Sequence, residues 1–331
     1  MSENNEFPVD MVYLWCDGKD PEFLQRKAAF SEETEGTARD SFSRIRFFDN
    51  EELKYSLRSL EKYAPWIRHV FIVTDRQKPD WLDTENPRVT IVDHSEILPK
   101  EIIPCFNSSV IERYIGFIPG LSEYFLYGND DMFFGQKVSK DFFFRDGKPI
   151  VRVRYYQNRK DIRSLAKFRA YVGDDFWGKS VANAHEILIT KNQLKDDNPF
   201  FELHHNIDAY TKTDFVNAFL KYKDELDQHV SRFRTVSDVQ RIFFSLEMLL
   251  NKQGELELYG KYTLVKKVSY LSRIEKLESF YAEAKRISML KLWCICPTLF
   301  CINSSGMSEF GNKLERVYLE HRFPSKSSFE K

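Results

Sequence analysis

The sequence has little of several features that mark special classes of protein. Of 331 residues only 13 are glycine and 12 are proline, which excludes collagen-like, linker-like and low-complexity chains. Lysine and arginine (49) nearly balance aspartate and glutamate (50), so no excess charge is available for bulk binding of nucleic acid. The apolar content of 42% and the 29 phenylalanines instead predict a globular protein with a sizeable core.

Cysteine and long apolar runs are also scarce. Five cysteines, an odd number, do not predict a disulfide framework, and those at 294, 296 and 301 lack the Cys-x-x-Cys pair of a zinc site. The apolar stretch 287–302 is interrupted by Lys291 and Pro297 and falls short of the ~20 residues that span a membrane. Because Met1–Pro8 is acidic and polar, no secretory signal is predicted, and we expect a cytoplasmic protein.

Acidic residues follow each of the predicted strands in the first half of the chain. Helical patterns at 49–65 and 107–119 separate these strands, which predicts an α/β fold with a mostly parallel, Rossmann-like sheet and helices on both faces. Ligands of such sheets bind at the carboxyl ends of the strands. The strands are Val9–Trp15, Val70–Val73, Val89–Val92 and Tyr124–Tyr127, and the acids after them are Asp17, Asp75, Asp93, Asp130 and Asp131.

Carboxylates gathered at one sheet edge suit a divalent metal ion, Mg²⁺ or Mn²⁺. Magnesium typically takes one or two carboxylates together with substrate phosphates, so this pattern predicts a nucleotide-sugar site with Asp130 and Asp131 as metal ligands. An aspartate after a strand is also a common turn or cap residue, which is the ordinary explanation for any single one of them. The doublet is the strongest candidate.

The second half of the chain has a weaker pattern. Residues 145–149 predict a hairpin turn and 150–156 a half-exposed strand, and the helical patterns after them predict a mixed, helix-rich C-terminal part. We expect a single catalytic unit over 1–331, with an α/β nucleotide-sugar-binding core in 1–144 and an acceptor-side, core-completing region in 145–331. The helices are predicted at 208–226, 238–251 and 274–287.

Four blocks of sequence are similar, in order, to those of one protein family. The first is Asp10-Met-Val-Tyr-Leu-Trp-Cys-Asp-Gly-Lys-Asp-Pro21. The second runs from Arg46-Phe-Phe-Asp-Asn-Glu-Glu-Leu through Phe71-Ile-Val-Thr-Asp75 and Phe106-Asn-Ser108 to Asn129-Asp-Asp-Met132. The third holds Asn183-Ala-His-Glu186 and Ser231-Arg-Phe-Arg-Thr235, and the fourth is Cys301-Ile-Asn303, with 323–330 similar to the family's ending. The chain resembles the Stealth family, the sugar-phosphate transferases of bacterial capsules and cell walls, related to the lysosomal-enzyme GlcNAc-1-phosphotransferase.

The resemblance implies a reaction and a set of site residues. The reaction transfers a sugar 1-phosphate from a nucleotide sugar, a UDP-hexose or UDP-N-acetylhexosamine, to a hydroxyl of an acceptor glycan and releases a nucleoside monophosphate. The acceptor includes lipid-linked glycans, and no nucleic acid is expected. The implied catalytic residues are His185, Asp131, Arg232 and Arg234, the donor-binding residues Asp17, Arg46, Asn107 and Asn303, and the metal ligands Asp130 and Asp131.

Several of these residues have a structural alternative. His185 is the candidate base because imidazole titrates near pH ~6.5. The structural alternative is a histidine that caps a helix or forms its hydrogen bonds within the core. Arg232 and Arg234 would project to one face of an extended segment and clamp a phosphate, unless they are a solvated pair. Asn107 is as well placed to cap a helix. His204 and His205 have no block to support them and are read as surface residues.

Two rival functions remain open, as does a membrane contact. A metal-dependent glycosyltransferase would transfer the sugar alone, and an inactive module would only bind nucleotide sugars or glycans; Ser304-Ser305, where the family has acids, gives the latter some weight. Basic and apolar residues at 285–293 could rest on the inner face of the cell membrane, although a helix packed in the core is the simpler explanation.

Overall fold

A five-stranded sheet forms the centre of the protein. The computed structural model describes residues 7–30, 50–191, 193–258, 268–270, 297–302 and 309–331. Four strands of the sheet are parallel and the fifth, at one edge, is antiparallel. In spatial order they are β3 (Val89–Asp93), β2 (Val70–Thr74), β1 (Val9–Leu14), β4 (Tyr124–Asn129) and β9 (Asp208–Thr211).

Apolar side chains project from both faces of this sheet, because successive residues of a strand point to opposite sides. Val12 of β1 joins one hydrophobic cluster, whereas Met11 and Tyr13 join another on the opposite face. Helix α2 (Glu52–Tyr63) covers the second face with its leucines, and helices α7 (Lys212–Lys221) and α9 (Ile242–Leu250) cover the first with phenylalanines. The predicted α/β fold with helices on both faces is confirmed.

Two smaller sheets adjoin the central one. In the first, β7 (Lys148–Tyr155) pairs antiparallel with β6 (Phe144–Arg145) and β8 (Phe201–Leu203), and parallel with β10 (Glu255–Leu258). In the second, β12 (Leu299–Cys301) lies between β5 (Met132–Phe134) and β11 (Val268–Tyr270). The other helices are α1 (Pro21–Ala29), α3 (His94–Ile97), α4 (Ser108–Ile111), α5 (Leu165–Val172), α6 (Phe176–Thr190), α8 (Lys223–Asp227) and α10 (Glu309–Arg322).

Most predicted elements are confirmed, and the differences have identifiable causes. The hairpin turn after Phe144 joins β6 to β7. The predicted helix at 208–226 begins only at Lys212, because its first four residues pair with β4 as β9 and this long-range pairing overrides the local pattern. The helix predicted at 238–251 begins at Ile242. The stretches predicted at 274–287 and 285–293 lie outside the described residues.

The two parts of the chain share one core. β9, from the second part, completes the sheet built by the first, and the largest hydrophobic cluster contains residues from Val12 to Met248. The division at 144–145 therefore stays a prediction about function. Within the described residues, no helix is both long and apolar enough to cross a membrane.

The last residues of the chain are fastened to helix α2 by a buried ion pair. Arg58 donates two hydrogen bonds to the Glu330 carboxylate, at 2.7 and 2.6 Å, and a third to the carbonyl of Phe323 at 2.9 Å. Phe329 is fully buried beside this pair. Although burial raises the pKa of Glu330, the hydrogen bonds from Arg58 outweigh it and leave the pKa below its usual value.

We expect Arg58→Ala to lower the free energy of unfolding by about 3 kcal/mol at pH 7, because it leaves a buried carboxylate without its partner. The folded pKa of Glu330 is depressed, so the stabilisation by the ion pair is present above the unfolded pKa and is lost as the pH falls through the folded pKa. The difference in unfolding free energy between the unmodified protein and Arg58→Ala should therefore shrink towards about pH 3. Urea unfolding at both pH values measures it. The control is Arg145→Ala, which breaks an exposed pair with Glu255 and should change stability by less than ~1 kcal/mol; equal losses would contradict the prediction.

Candidate active site

The carboxyl ends of the parallel strands bring the predicted acids to one edge of the sheet. Leu14, the last residue of β1, pairs with Asn129, the last of β4, and Thr74 of β2 pairs with Asp93 of β3. The strand order reverses between β1 and β4, since β2 and β3 lie on one side of β1 and β4 on the other. At such a reversal the loops diverge and leave a crevice, where open α/β sheets bind their ligands.

Two of the five acids at this edge form structural hydrogen bonds. Asp75 is buried and accepts a hydrogen bond from Nε of Arg26 on α1 at 2.9 Å. Asp93 caps helix α3 through the amide of Ser95 and also accepts from the amide of Arg76, at 2.9 and 2.7 Å. For these two residues the turn and cap explanation applies.

Asp17 lies in a loop that Gln77 holds in place. The Gln77 amide accepts from the Asp17 N–H and donates to the Asp17 carbonyl, both at 3.0 Å, and donates to the Asp20 carboxylate at 2.8 Å. The Asp17 carboxylate accepts from the amide of Lys19 at 2.8 Å, which closes a tight turn. Asp17 is partly buried in the loop after β1, and its role in binding the donor stays a prediction.

Asp131 faces a buried acidic cluster beside the crevice. Its carboxyl hydrogen-bonds to the thiol of Cys301, but its Oδ1 atom receives no hydrogen bond from the described residues. Burial first, and then the charge of Glu52, raise the pKa of Asp131 to about 7. Burial, and after it the charges of Asp131, Glu315 and Asp130, raise the pKa of the Cys301 thiol, so these carboxylates lie near it.

The acidic doublet offers few ligands for the predicted divalent metal. Among the described residues no group of three or more histidine, cysteine, aspartate or glutamate side chains is arranged to hold an ion. Magnesium needs fewer protein ligands when substrate phosphates supply the rest. A buried carboxylate oxygen without a donor, next to a second acid, fits this mode, with Asp130 and Asp131 as the ligands.

Two histidines that the sequence predicts to be surface residues, His204 and His205, lie just before β9. Since β9 is antiparallel, its beginning lies at the edge where the other strands end, and Asp208 pairs with Tyr127 of β4. The residues just before it therefore reach the crevice. His204 is buried and its Nε2 lies 2.9 Å from the Asp208 carboxylate, so it is not a surface residue. The β-favouring residues that follow Asp208 could have predicted a strand here in place of the first turn of a helix.

His205 is partly buried and has a left-handed backbone conformation, with φ of 52°. Its ring packs edge-on against Trp177, with the centroids 5.6 Å apart. Burial, followed by the nearby charge of Arg241, lowers its pKa to about 3, and Arg234 contributes in the same direction. The imidazole is therefore neutral and lies within the field of two arginines.

His185, the predicted general base, lies in the core of the protein instead. It is fully buried on helix α6, where Nδ1 lies 2.9 Å from the carbonyl of Val181 and Nε2 accepts from the amide of Phe201 at 3.3 Å. Burial lowers its pKa to about 4. Both ring nitrogens are engaged by backbone groups, so this geometry assigns His185 the task of joining α6 to β8 rather than proton transfer.

Asn107 and Arg232 also form structural contacts. The Asn107 side chain caps helix α4 by accepting from the amide of Ser109 at 3.1 Å, and it donates to the Phe233 carbonyl at 3.1 Å and to Asp238 at 2.9 Å. Arg232 donates to the carbonyls of Pro104 and Glu101 and lies over the ring of Phe30. The cap explanation holds for Asn107, and Arg232 turns away from Arg234.

Arg234 is the arginine of the pair whose charge acts on His205. Phe233, between the two, is buried and stacks on Phe106, with the ring centroids 5.3 Å apart. Arg234 donates to the hydroxyl of Ser108 at the start of α4 and is partly exposed. A guanidinium in that position can receive a phosphate group through two parallel hydrogen bonds. Arg46 and Asn303, the other predicted donor-binding residues, lie outside the described residues.

The fold and this edge define an α/β protein with a ligand crevice at the reversal of strand order. Residues 46–151 match the description "Stealth protein CR2, conserved region 2". The chain is 31% identical over 306 residues, 92% of its length and 80% of the relative's, to the capsular polysaccharide phosphotransferase fcs1 of Haemophilus influenzae. It is 42% identical to cps12A of Actinobacillus pleuropneumoniae, also named a capsular polysaccharide phosphotransferase, over 75% of this chain and 65% of that one. The chain belongs to the Stealth family.

Other relatives are matched over a smaller part of their length. The exopolysaccharide phosphotransferase SCO6023 of Streptomyces coelicolor is 48% identical over 149 residues, which are 44% of this chain and 25% of the relative. Among solved structures, the WbbM bifunctional glycosyltransferase aligns with a TM-score of 0.44 and 9% identity, over 98% of this chain and 53% of that chain.

The raised pKa of Asp131 predicts a pH-dependent effect of its replacement. Because the folded pKa, about 7, lies above the unfolded value, the protonated carboxyl contributes stability at low pH, and that contribution is lost as the pH rises through 7. Asp131→Asn, which is always neutral, should therefore raise the Tm relative to the unmodified protein at pH 8 and leave it nearly unchanged at about pH 3.5, below the unfolded pKa of the carboxyl. Calorimetry at both pH values measures the shift.

Asp93→Asn is the control of opposite sign. Its pKa is lowered, since hydrogen bonds from Ser95 and Arg76 outweigh partial burial, so its replacement should lower the Tm at pH 8. A lower Tm of Asp131→Asn at pH 8, or the same shift at both pH values, would contradict the placement of Asp131 in an acidic cluster.

Proposed function

We propose that this protein transfers a sugar 1-phosphate from a nucleotide sugar to a hydroxyl of an acceptor glycan. The observation that carries the proposal is the 31% identity, over 80% of its length, to a capsular polysaccharide phosphotransferase. The acceptor oxygen forms a new bond to the phosphorus that bears the sugar, and the bond from that phosphorus to the bridging oxygen breaks. The product is a phosphodiester, and a nucleoside monophosphate leaves.

The crevice supplies groups for each part of this reaction. Arg234 binds the diphosphate and stabilises the charge that develops on the reacting phosphoryl oxygens. Asp130 and Asp131 hold a divalent cation, which neutralises diphosphate charge when bound. Asp17, on the other side of the crevice, contacts the donor.

His205 is the better candidate for the general base. A base must be neutral before it accepts a proton, and the low pKa of His205 keeps its ring neutral at working pH. The charges that depress this pKa are those of Arg241 and Arg234, and a bound diphosphate would offset them and raise it. His205 at the crevice thus takes the role that the sequence analysis gave to His185.

The finer details extend the same proposal. The donor is a UDP-hexose or a UDP-N-acetylhexosamine, and the acceptor is a capsular or cell-wall glycan, including one on a lipid carrier. Because nucleotide sugars are substrates of this reaction, we place it in the cytoplasm, at the inner face of the cell membrane.

The nucleotide product distinguishes this reaction from transfer of the sugar alone. Purified protein with Mg²⁺ or Mn²⁺, a panel of UDP-sugars and a glycan acceptor should release uridine monophosphate and incorporate one phosphorus per sugar into the glycan. Chromatography of the nucleotides and phosphorus analysis of the glycan measure both. Release of uridine diphosphate only, with a phosphorus-free product, would reject the proposal in favour of a glycosyltransferase.

Two glutamine variants separate the histidines. His205→Gln should lower kcat about 100-fold with a smaller loss of Tm than His185→Gln, because the His205 ring is partly buried whereas His185 is fully buried. His185→Gln should lower the Tm and leave kcat, per folded molecule, within a few-fold. Turnover and thermal unfolding are measured on the same samples. The reverse pattern would return the role of base to His185.

A further inference from the structure

The connection between β8 and β9 is short and passes from one sheet to another. β8 pairs with β7 in a smaller sheet, whereas β9 pairs with β4 in the central sheet, and residues 204–207 join the two strands. His205 lies in this connection with φ of 52°, a left-handed conformation that a residue with a Cβ atom keeps only where the surrounding structure imposes it. The place of the His205 ring therefore depends on what holds the connection.

A hydrogen bond between side chains closes this connection from end to end. Nε2 of His204, the first residue of the connection, lies 2.9 Å from Oδ1 of Asp208, the first residue of β9. Both side chains are buried. Burial raises the pKa of Asp208, but the charge of Arg241 outweighs it and leaves the pKa below its ordinary value, so Asp208 is a carboxylate and can only accept. His204 therefore donates from Nε2.

The Asp208 carboxylate is held in turn by a buried arginine directly before α9. Nη2 and Nε of Arg241 donate to Oδ2, the other oxygen of Asp208, at 2.7 and 3.0 Å. Nη1 of Arg241 lies 3.7 Å from the carboxylate of Glu112, in the 3₁₀ turn after α4. The guanidinium stands over the ring of Tyr127 on β4, 4.9 Å from its centroid. Through this group His204 is fastened to α9, to the 3₁₀ turn and to the central sheet.

We propose that His204 is a positioning residue for His205. Its hydrogen bond to Asp208 fixes both ends of the connection, so that the left-handed turn persists and the His205 ring stays against Trp177 on α6, with the centroids 5.6 Å apart. Without this bond the connection can relax and the ring can leave Trp177. The proposal rests on the proposed function for the role of His205 as base, but the placement of the ring is independent of that role.

Trp177 gives a readout that needs no substrate. Its indole N–H signal in nitrogen-15 spectra, assigned by its loss in Trp177→Phe, feels the ring current of His205, and His205→Gln shows where the signal lies without that ring. His204→Leu removes the hydrogen bond to Asp208 and should move the signal towards its position in His205→Gln. His204→Gln should leave the signal near its position in the unmodified protein, because the glutamine amide can still donate to Asp208.

Glu247→Gln is the matched control for a loss of stability in the same region. Glu247 lies on α9, and its buried carboxylate accepts from Nζ of Lys221 at 2.7 Å and from the hydroxyl of Tyr222 at 3.1 Å. These contacts fasten α9 to residues outside the connection between β8 and β9. The variant should therefore lower the Tm and leave the Trp177 signal unchanged.

A double-mutant cycle tests the consequence for turnover. His204→Leu should lower kcat about 10-fold with KM within a few-fold, since the base is misplaced while the substrate still binds, and His204→Gln should restore most of the loss. Glu247→Gln should change kcat, per folded molecule, less than about twofold. If His204 acts through His205, adding His204→Leu to His205→Gln should cause no further loss of kcat, because the ring to be positioned is gone. Turnover is followed as total nucleotide released, so transfer of the sugar alone would be measured equally well.

Each outcome decides the proposal separately from the proposed function. An unchanged Trp177 signal in His204→Leu would overturn it, as would equal shifts in His204→Leu and His204→Gln, or a further loss of kcat when His204→Leu is added to His205→Gln. A shifted Trp177 signal and a cycle without further loss, with uridine diphosphate as the product, would support the positioning of His205 and reject the phosphotransferase.

Discussion

The position of β1 between β2 and β4 is the constraint on which the rest of the site depends. Because β1 pairs in register with both neighbours, the loops after Leu14 and Asn129 leave the sheet side by side. The reversal of strand order at that point opens a crevice between them without any special loop. The antiparallel β9 then adds the beginning of a strand to an edge otherwise made of strand ends. Residues more than 180 positions apart in the chain meet there for this reason alone.

The sequence predicts this edge as far as local patterns reach. Each parallel strand is an apolar run closed by an acid, so the fold and the place of Asp17, Asp130 and Asp131 follow from the pattern. His205 could not be found in the same way, since its position depends on β9 pairing antiparallel with β4, whose paired residues lie 81 to 87 positions earlier in the chain. His185 could not be assigned to the core, because only the contacts with Val181 and Phe201 show that both ring nitrogens are used.

Two buried charged groups near the end of β4 differ in their partners. Arg241 has carboxylates on two sides and keeps its charge, which makes the group behind Tyr127 rigid because breaking a buried pair is costly. Asp131 lies among other acids and has no cation within the described residues to offset burial, so its pKa rises to about 7. One side is therefore suited to hold a fixed geometry, and the other to accept a positive charge.

This asymmetry matches what a nucleotide diphosphate requires. Its phosphates carry several negative charges, so a crevice lined by acids alone would repel it, whereas one lined by arginines alone would bind substrate and product equally well and gain little in rate. In the proposed reaction, with Arg234 on one side and the acidic doublet on the other, binding of the diphosphate and of a cation would be coupled, because each would offset the charge that opposes the other.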